Sequence, residues 1–180
     1  MSFRKVEAVR MDICTLQATD AAIFQALRLE ALRECPTAFS SSYEEEYDIP
    51  LSRVGERLAS TPERAVFGAF ENSVLVGTVG LRREQARKLA HKAIIWGVYV
   101  APRYRKRGVG RLLLEHTLAH AALMPGLRQV NLGANAGNPA SIALYRSVGF
   151  EPFGVEKGFL RVDGVLYDEI HMARVIRFTG

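Results

Sequence analysis

The stretch Val98-Tyr99-Val100-Ala101-Pro102-Arg103-Tyr104-Arg105-Lys106-Arg107-Gly108-Val109-Gly110-Arg111 joins an apolar run to a helical pattern through a loop that is both basic and glycine-bearing. Those residue types suit anion capture. The first amides of a helix lack intrahelical partners, and the helix dipole favours negative charge beside them. Gly108 and Gly110 present no side chain to a phosphate approaching those amides. Arg103, Arg105, Lys106, Arg107 and Arg111 add long-range attraction. The pattern does not choose the anion. A P-loop needs Gly-Lys followed by Ser or Thr, which is absent, and Leu113 stands where the dinucleotide fingerprint needs its third glycine. A solvated basic loop with helix-start glycines fits the same residues.

A second chemical feature follows in Asn138-Pro139-Ala140-Ser141-Ile142-Ala143-Leu144-Tyr145-Arg146-Ser147-Val148-Gly149-Phe150. Asn138 and Tyr145 are two helical turns apart and share nearly one face, with Ser141 between them. A polar line leading to a phenol is unusual on a helix that must also pack. The plain alternative is a core tyrosine whose hydroxyl reaches water. Two other features carry less. His116 and His120 have half of a zinc spacing, but Thr117 stands where the metalloprotease motif needs glutamate, so no metal is expected. Cys14 and Cys35 have neither metal nor disulfide-scaffold spacing and read as reduced thiols of a cytoplasmic protein.

The elements that position these residues follow from periodicity. Alternation predicts a strand over 6–13. Thr19 or Asp20 caps a helix that Pro36 ends, and a loop over 36–50 with a short turn of helix leads to a second helix over 51–59. Strands over 66–70 and 74–81 form a hairpin around Glu71-Asn72-Ser73. Residues 93–100 are apolar throughout, which predicts a central strand covered on both faces. A helix over 108–123, a strand over 130–134, a helix over 138–148 and strands over 153–159 and 167–176, joined through Asp163-Gly164, complete the chain. The order predicts an α+β fold on a mixed, mostly antiparallel sheet with one β-α-β unit at its centre. The length of 180 residues fits one domain over 1–180 with a substantial core.

Together the two motifs resemble the GNAT superfamily of acyl-CoA-dependent N-acyltransferases. Arg105-x-x-Gly108-x-Gly110 matches that family's pyrophosphate loop, and Asn138 through Tyr145 with Gly149-Phe150 matches its later Asn…Leu-Tyr…Gly-Phe motif, in the family's order. The resemblance covers most of the chain. It implies that a bulge splays the central strand from the next, that Val98 and Val100 pair with the pantetheine arm of acetyl-CoA, and that the amides of Arg105, Lys106, Arg107, Gly108, Val109 and Gly110, with Arg111 beyond, hold the pyrophosphate. It places Asn138 and Ser141 beside the arm and Tyr145 near the thioester sulfur, as general acid to the leaving thiolate. The carbonyl would be polarised by a strand amide, that of Val98.

The acceptor side is less defined. The resemblance puts the loop Phe39-Ser40-Ser41-Ser42-Tyr43-Glu44-Glu45-Glu46 on the acceptor wall, where its carboxylates would attract an amine, so Phe39, Tyr43 and Glu44 are expected contacts. Alternation sets Tyr167, Glu169 and His171 on one face of a late strand and Asp168 on the other. Some family members carry a glutamate on the central strand; Ile94, Ile95 and Trp96 stand there instead, and no Asp or Glu occurs between Glu84 and Glu115. Glu44, Glu45, Glu84, Tyr167 and Asp168 are the candidates for a base, though each reads more readily as a surface charge or a binding contact; Glu84 and Tyr167 join the expected acceptor contacts, and Trp96 reads as core. Formal charge is +5, with one basic cluster at Arg82–Lys92 and another at the phosphate loop, so a basic donor side and an acidic acceptor side are expected. No run is long and apolar enough for a membrane span, and no stacking ladder or helix-turn-helix spacing supports nucleic-acid binding. The reading is an N-acetyltransferase acting on a small amine or amino-acid derivative. A protein N-terminus or lysine is the alternative acceptor, an acyl-CoA-binding regulatory module the alternative class, and a homodimer an open option.

Overall fold

A computed structural model describes residues 11–176. The expected first strand lies partly outside them; within them β1 is Met11–Thr15. A 3-10 turn, Ala18–Asp20, leads into α1, Ala21–Glu34. Asp20 reaches backward, accepting from the Gln17 amide at 2.8 Å, rather than forward into α1. A second 3-10 turn, Pro36–Ala38, then α2, Tyr43–Glu46, and α3, Leu51–Leu58, fill the predicted loop and helix.

The sheet then forms from β2, Arg64–Glu71, β3, Val74–Arg83, and β4, Lys92–Val100. Asn72 and Ser73 both take positive φ, the mirror-type turn that matches strand twist, so the hairpin loop is two residues rather than three. After β4 come α4, Val109–Ala122, β5, Gln129–Asn135, and α5, Pro139–Ser147. The chain closes with β6, Glu151–Val162, and β7, Val165–Val175, turned through Asp163 and Gly164. The strand order is β1-β2-β3-β4-β5-β7-β6, antiparallel everywhere except β4–β5. The α+β fold on a mixed sheet is therefore as expected.

Helices cover the first half of the sheet on both sides. α4 buries Val109, Leu113, Leu114, Leu118 and Ala121 against β1–β4. A Cβ on Gly77 of β3 would come within 3.1 Å of Leu113, so this glycine sets the depth of that packing. α1, with α3 stacked on it, covers the other face and receives the Tyr99 hydroxyl on Glu30 at 3.1 Å. Phe24, Val54, Leu58, Phe67, Val76 and Leu81 are among the fully enclosed side chains of this core.

The parallel pair β4–β5 is the weak seam. Only Lys92, Ala93 and Ile94 pair with Gln129, Val130 and Asn131; beyond that point the two strands part. On its other edge β4 pairs Trp96 with Gly80 and Tyr99 with Thr78, so Gly97 and Val98 stand opposite the single residue Val79. This is a bulge, and Gly97 has φ +61, which a glycine adopts without strain. The expectation that β4 is covered on both faces is corrected here. Ala93, Ile95 and Tyr99 are buried, but Ile94, Trp96, Val98 and Val100 are only half-buried; the last three line a cleft opened by the parting strands.

Candidate active site

The cleft between β4 and β5 has a volume of about 620 Å³. Val98 and Val100 form one wall, Asn138, Ser141 and Tyr145 of α5 another, and the loop and start of α4 its outer end. Ala101 donates to Val76 at 2.9 Å across to β3, so Val100, one residue earlier, turns its own backbone groups away from β3. The Val100 carbonyl accepts there from Arg105 Nε at 2.8 Å.

The phosphate-loop residues separate into two groups. Arg105 and Arg107 turn their guanidinium groups away from the helix start. Arg105 bonds Glu34 of α1, one of the two contacts measuring 2.8 Å, and Arg107 pairs with Glu71 at the end of β2. Arg111 pairs along the helix with Glu115 at 2.7 Å, and Arg103 lies against the Tyr104 ring. What remains at the helix start is backbone. The first helical bond there runs from the Leu112 N–H to the Gly108 carbonyl at 3.0 Å, which leaves the amides of Val109, Gly110 and Arg111 without intrahelical partners.

The glycines serve different ends. Gly108 has φ +81, and a Cβ there would meet nothing, so the approach to the amides is open. Lys106, with φ +59, gives the loop a second left-handed residue. Gly110 has ordinary helical geometry, but a Cβ on it would stand 3.0 Å from Leu144; its small size lets α4 approach α5.

α5 is capped as its sequence predicts. The Asn138 side-chain oxygen accepts from the Ser141 amide at 3.1 Å, and Ser141 Oγ donates to the Asn138 carbonyl at 3.0 Å. Tyr145, 7 % exposed, packs edge-on to Phe150. No described residue hydrogen-bonds its hydroxyl. Burial, then the charge of Glu169, push the phenol up to about 12. Cys35 also lines this cleft; burial and then its bond to Glu34 push the thiol up to about 11.

A second cavity of about 530 Å³ adjoins the first. The two share Ala38, Phe39, Ile95, Trp96, Gly97 and Gly133, so they meet at the bulge. Trp96 is half-buried, and its indole fills the space over Gly80, where a Cβ would collide with it. It packs against the core as expected and also lines both cavities. Phe39 stands at the same junction, beneath Arg28, whose guanidinium carbon is 4.8 Å from the ring.

The remaining expected acceptor residues lie elsewhere. Tyr43 stacks under Arg33 at 3.9 Å, and Glu44 borders a separate groove with it. Glu84 and Tyr167 line neither cavity. Glu45 caps its own helix by accepting from the Ser42 amide at 2.7 Å, and Asp168 pairs with Lys157 at 2.7 Å. Glu46, the one residue of the acidic run that reaches the cavity, is clamped by Arg28 at 2.9 Å and Arg57 at 3.1 Å. Burial pushes its carboxyl up, but those guanidinium groups outweigh it and leave the net shift downward. The second cavity is thus rich in arginine, where an acidic acceptor wall was expected. His116 and His120 pack edge-on against Phe67, and among the described residues no cluster of His, Cys, Asp and Glu is placed to hold a metal.

A carboxylate reaches the second cavity from β7. Glu169 lines the second cavity, its carboxylate lying in the space that a side chain on Gly133 would fill. Burial pushes its pKa up, the charge of His171 opposes that shift, and Glu156 adds to it. His171 Nδ1 is 3.5 Å from Glu169 and its Nε2 is 3.2 Å from Glu156. Strand alternation signalled the face, but the partner strand that brings it to the bulge was not visible in the sequence.

An apolar cleft with open helix-start amides, a bulged central strand and an unbonded phenol define an acyl-CoA-dependent acyltransferase. The family model described as acetyltransferase (GNAT) family matches residues 27–150, and the chain belongs to that family. It is an N-acetyltransferase whose acyl donor is acetyl-CoA. The N-alpha-acetyltransferase RimI of Mycobacterium tuberculosis is 36% identical over 115 residues, covering 64% of this chain and 69% of that protein. A GNAT-family acetyltransferase from Streptococcus pneumoniae superposes with a TM-score of 0.82 at 23% identity, covering 93% of this chain and 100% of that one. The putative acetyltransferase yncA of Salmonella typhimurium, solved with its cofactor acetyl-CoA, superposes with a TM-score of 0.78 at 20% identity, covering 95% and 96%. No helix among the described residues is long and apolar enough to cross a membrane.

Proposed function

We propose that this enzyme moves the acetyl group of acetyl-CoA directly to the primary amine of a small amine or amino-acid derivative. The observation that carries the reading is the meeting of the two cavities at Trp96, Gly97 and Phe39. Donor and acceptor then approach from opposite sides of the bulge, without an intermediate carrier on the protein.

The open amides of Val109, Gly110 and Arg111 suit the pyrophosphate, and the edge of β4 at Val98 and Val100 suits the pantetheine arm. Tyr145 donates a hydrogen bond to the leaving sulfur. A phenol near 12 is a weaker acid than an ordinary thiol near 8.5, so its role is to stabilise the thiolate rather than to protonate it fully. The proton lost by the amine goes to Glu169, whose raised pKa makes it a better base near neutrality. Cys35 is held in the thiol form, which supports direct transfer over an acetyl-cysteine route. Cys14 and Cys35 are free thiols, which suits a cytoplasmic setting.

A protein N-terminus is the second reading, favoured by the similarity to the mycobacterial N-alpha-acetyltransferase. Release of CoA thiol across a panel of small amines and N-terminal peptides tests both. Turnover of long N-terminal peptides alone overturns the small-acceptor reading, and no release from any amine overturns both.

A further inference from the structure

The acceptor cavity holds more positive charge than the protein neutralises. Four arginines line it, Arg28, Arg57, Arg64 and Arg82, against Glu46 and Glu169. Arg28 and Arg57 are spent on Glu46. Arg64 donates only to backbone carbonyls, from Nε to Ala59 and from an Nη to Glu56, both at 3.2 Å. Neither Arg64 nor Arg82 has a carboxylate partner among the described residues.

These two arginines are also directly opposed. Arg64 of β2 pairs in register with Arg82 of β3, which pairs in turn with Ile94 of β4. Like charges facing each other across neighbouring strands are destabilising unless something negative lies between them. A planar guanidinium is suited to a carboxylate through two parallel hydrogen bonds.

We infer that the acceptor carries a carboxylate as well as its amine, the carboxylate held by Arg82 and Arg64 and the amine directed to the bulge. This rests on the proposed transfer to a small acceptor and narrows its substrate class. The register also sets a length. Ile94, beside Arg82, is three residues from Gly97, about 10 Å of strand at about 3.3 Å per residue. Strand side chains stand roughly perpendicular to the sheet, so amine and carboxylate are several bonds apart, about the reach of a dipeptide rather than of a free α-amino acid.

The test is steady-state CoA-thiol release with matched acceptors: glycylglycine and alanylglycine against glycylglycinamide and alanylglycinamide. The expected result is a kcat/KM for the free carboxylates at least about tenfold above that for the amides, in line with a hydrogen bond to a charged group. Arg82→Gln should bring the two classes together, and Arg64→Gln should move them the same way. Melting curves establish that each variant is folded; Arg82, whose side chain makes no hydrogen bond or ion pair among the described residues, is the cleaner of the two. Equal use of amides and carboxylates by the unmodified enzyme overturns the inference, as does a preference that survives both substitutions. Turnover of long acidic peptides without turnover of dipeptides overturns it too. No thiol release from any amine strikes instead at the proposed transfer itself, and the inference falls with it.

Discussion

The carboxylate of Glu169 on β7 occupies the volume that a side chain at Gly133 on β5 would need. The glycine thereby seats a partly buried acid at the mouth of the parted strands. Gly133→Ala should push the carboxylate out of place and lower turnover toward the level of Glu169→Gln, a loss of about 10²-fold for a displaced base. In the unmodified enzyme, kcat/KM should fall as pH drops through a Glu169 pKa lying above the ordinary carboxylate value. Glu169→Gln should flatten that acidic limb. An unchanged limb in the variant would assign the titration to another group.

Tyr145→Phe removes a hydroxyl that no described residue bonds and leaves the ring packed on Phe150. Melting temperature and acetyl-CoA affinity should barely change, while kcat falls by about 10²-fold. Equal loss of affinity and turnover would mean that the phenol shapes the cleft rather than serving the leaving sulfur.

Gly108 and Gly110 should respond differently to alanine. At Gly108 the left-handed backbone costs about 1 kcal/mol with any side chain, and the methyl group projects into the open approach to the amides. A rise in the acetyl-CoA KM of about tenfold or more is expected. At Gly110 the methyl group meets Leu144, so Gly110→Ala should shift the melting temperature more than the KM. Identical effects of the two changes would dissolve the distinction between them.

Glu34 ties the basic loop to α1, and its bond from Arg105 holds its carboxyl down to about 2 against an ordinary 4.5. A depressed folded-state pKa stabilises the fold above about 4.5, and that stabilisation is lost as pH falls toward about 2. Melting temperature should therefore drop across this window, less steeply in Glu34→Gln. Parallel curves for the two proteins would show that the clamp adds nothing to stability.

Local signals were legible in the sequence, and long-range ones were not. The cap at Asn138, Pro139 in the first turn and the left-handed Gly149 after α5 are fixed by neighbours in the chain, so they read directly. Gly97 sits in an apolar run whose strand character is correct, and nothing local distinguishes a bulge from a regular position. The arginine wall gathers residues from α1, α3, β2 and β3, and Glu169 comes from two strands beyond β4. Only the order of strands brings those groups together. The acidic run misled for the opposite reason: its residues are adjacent in sequence but diverge into a cap, a separate groove and an internal clamp.

The two helices that flank the cleft begin unequally. Asn138 supplies a side-chain oxygen to the start of α5, whereas Gly108 has none to offer α4. One threshold is therefore closed by the protein itself and the other is left for a guest. A long, asymmetric donor molecule seated with its charged end at α4 would have the rest of its length directed inward toward the bulge.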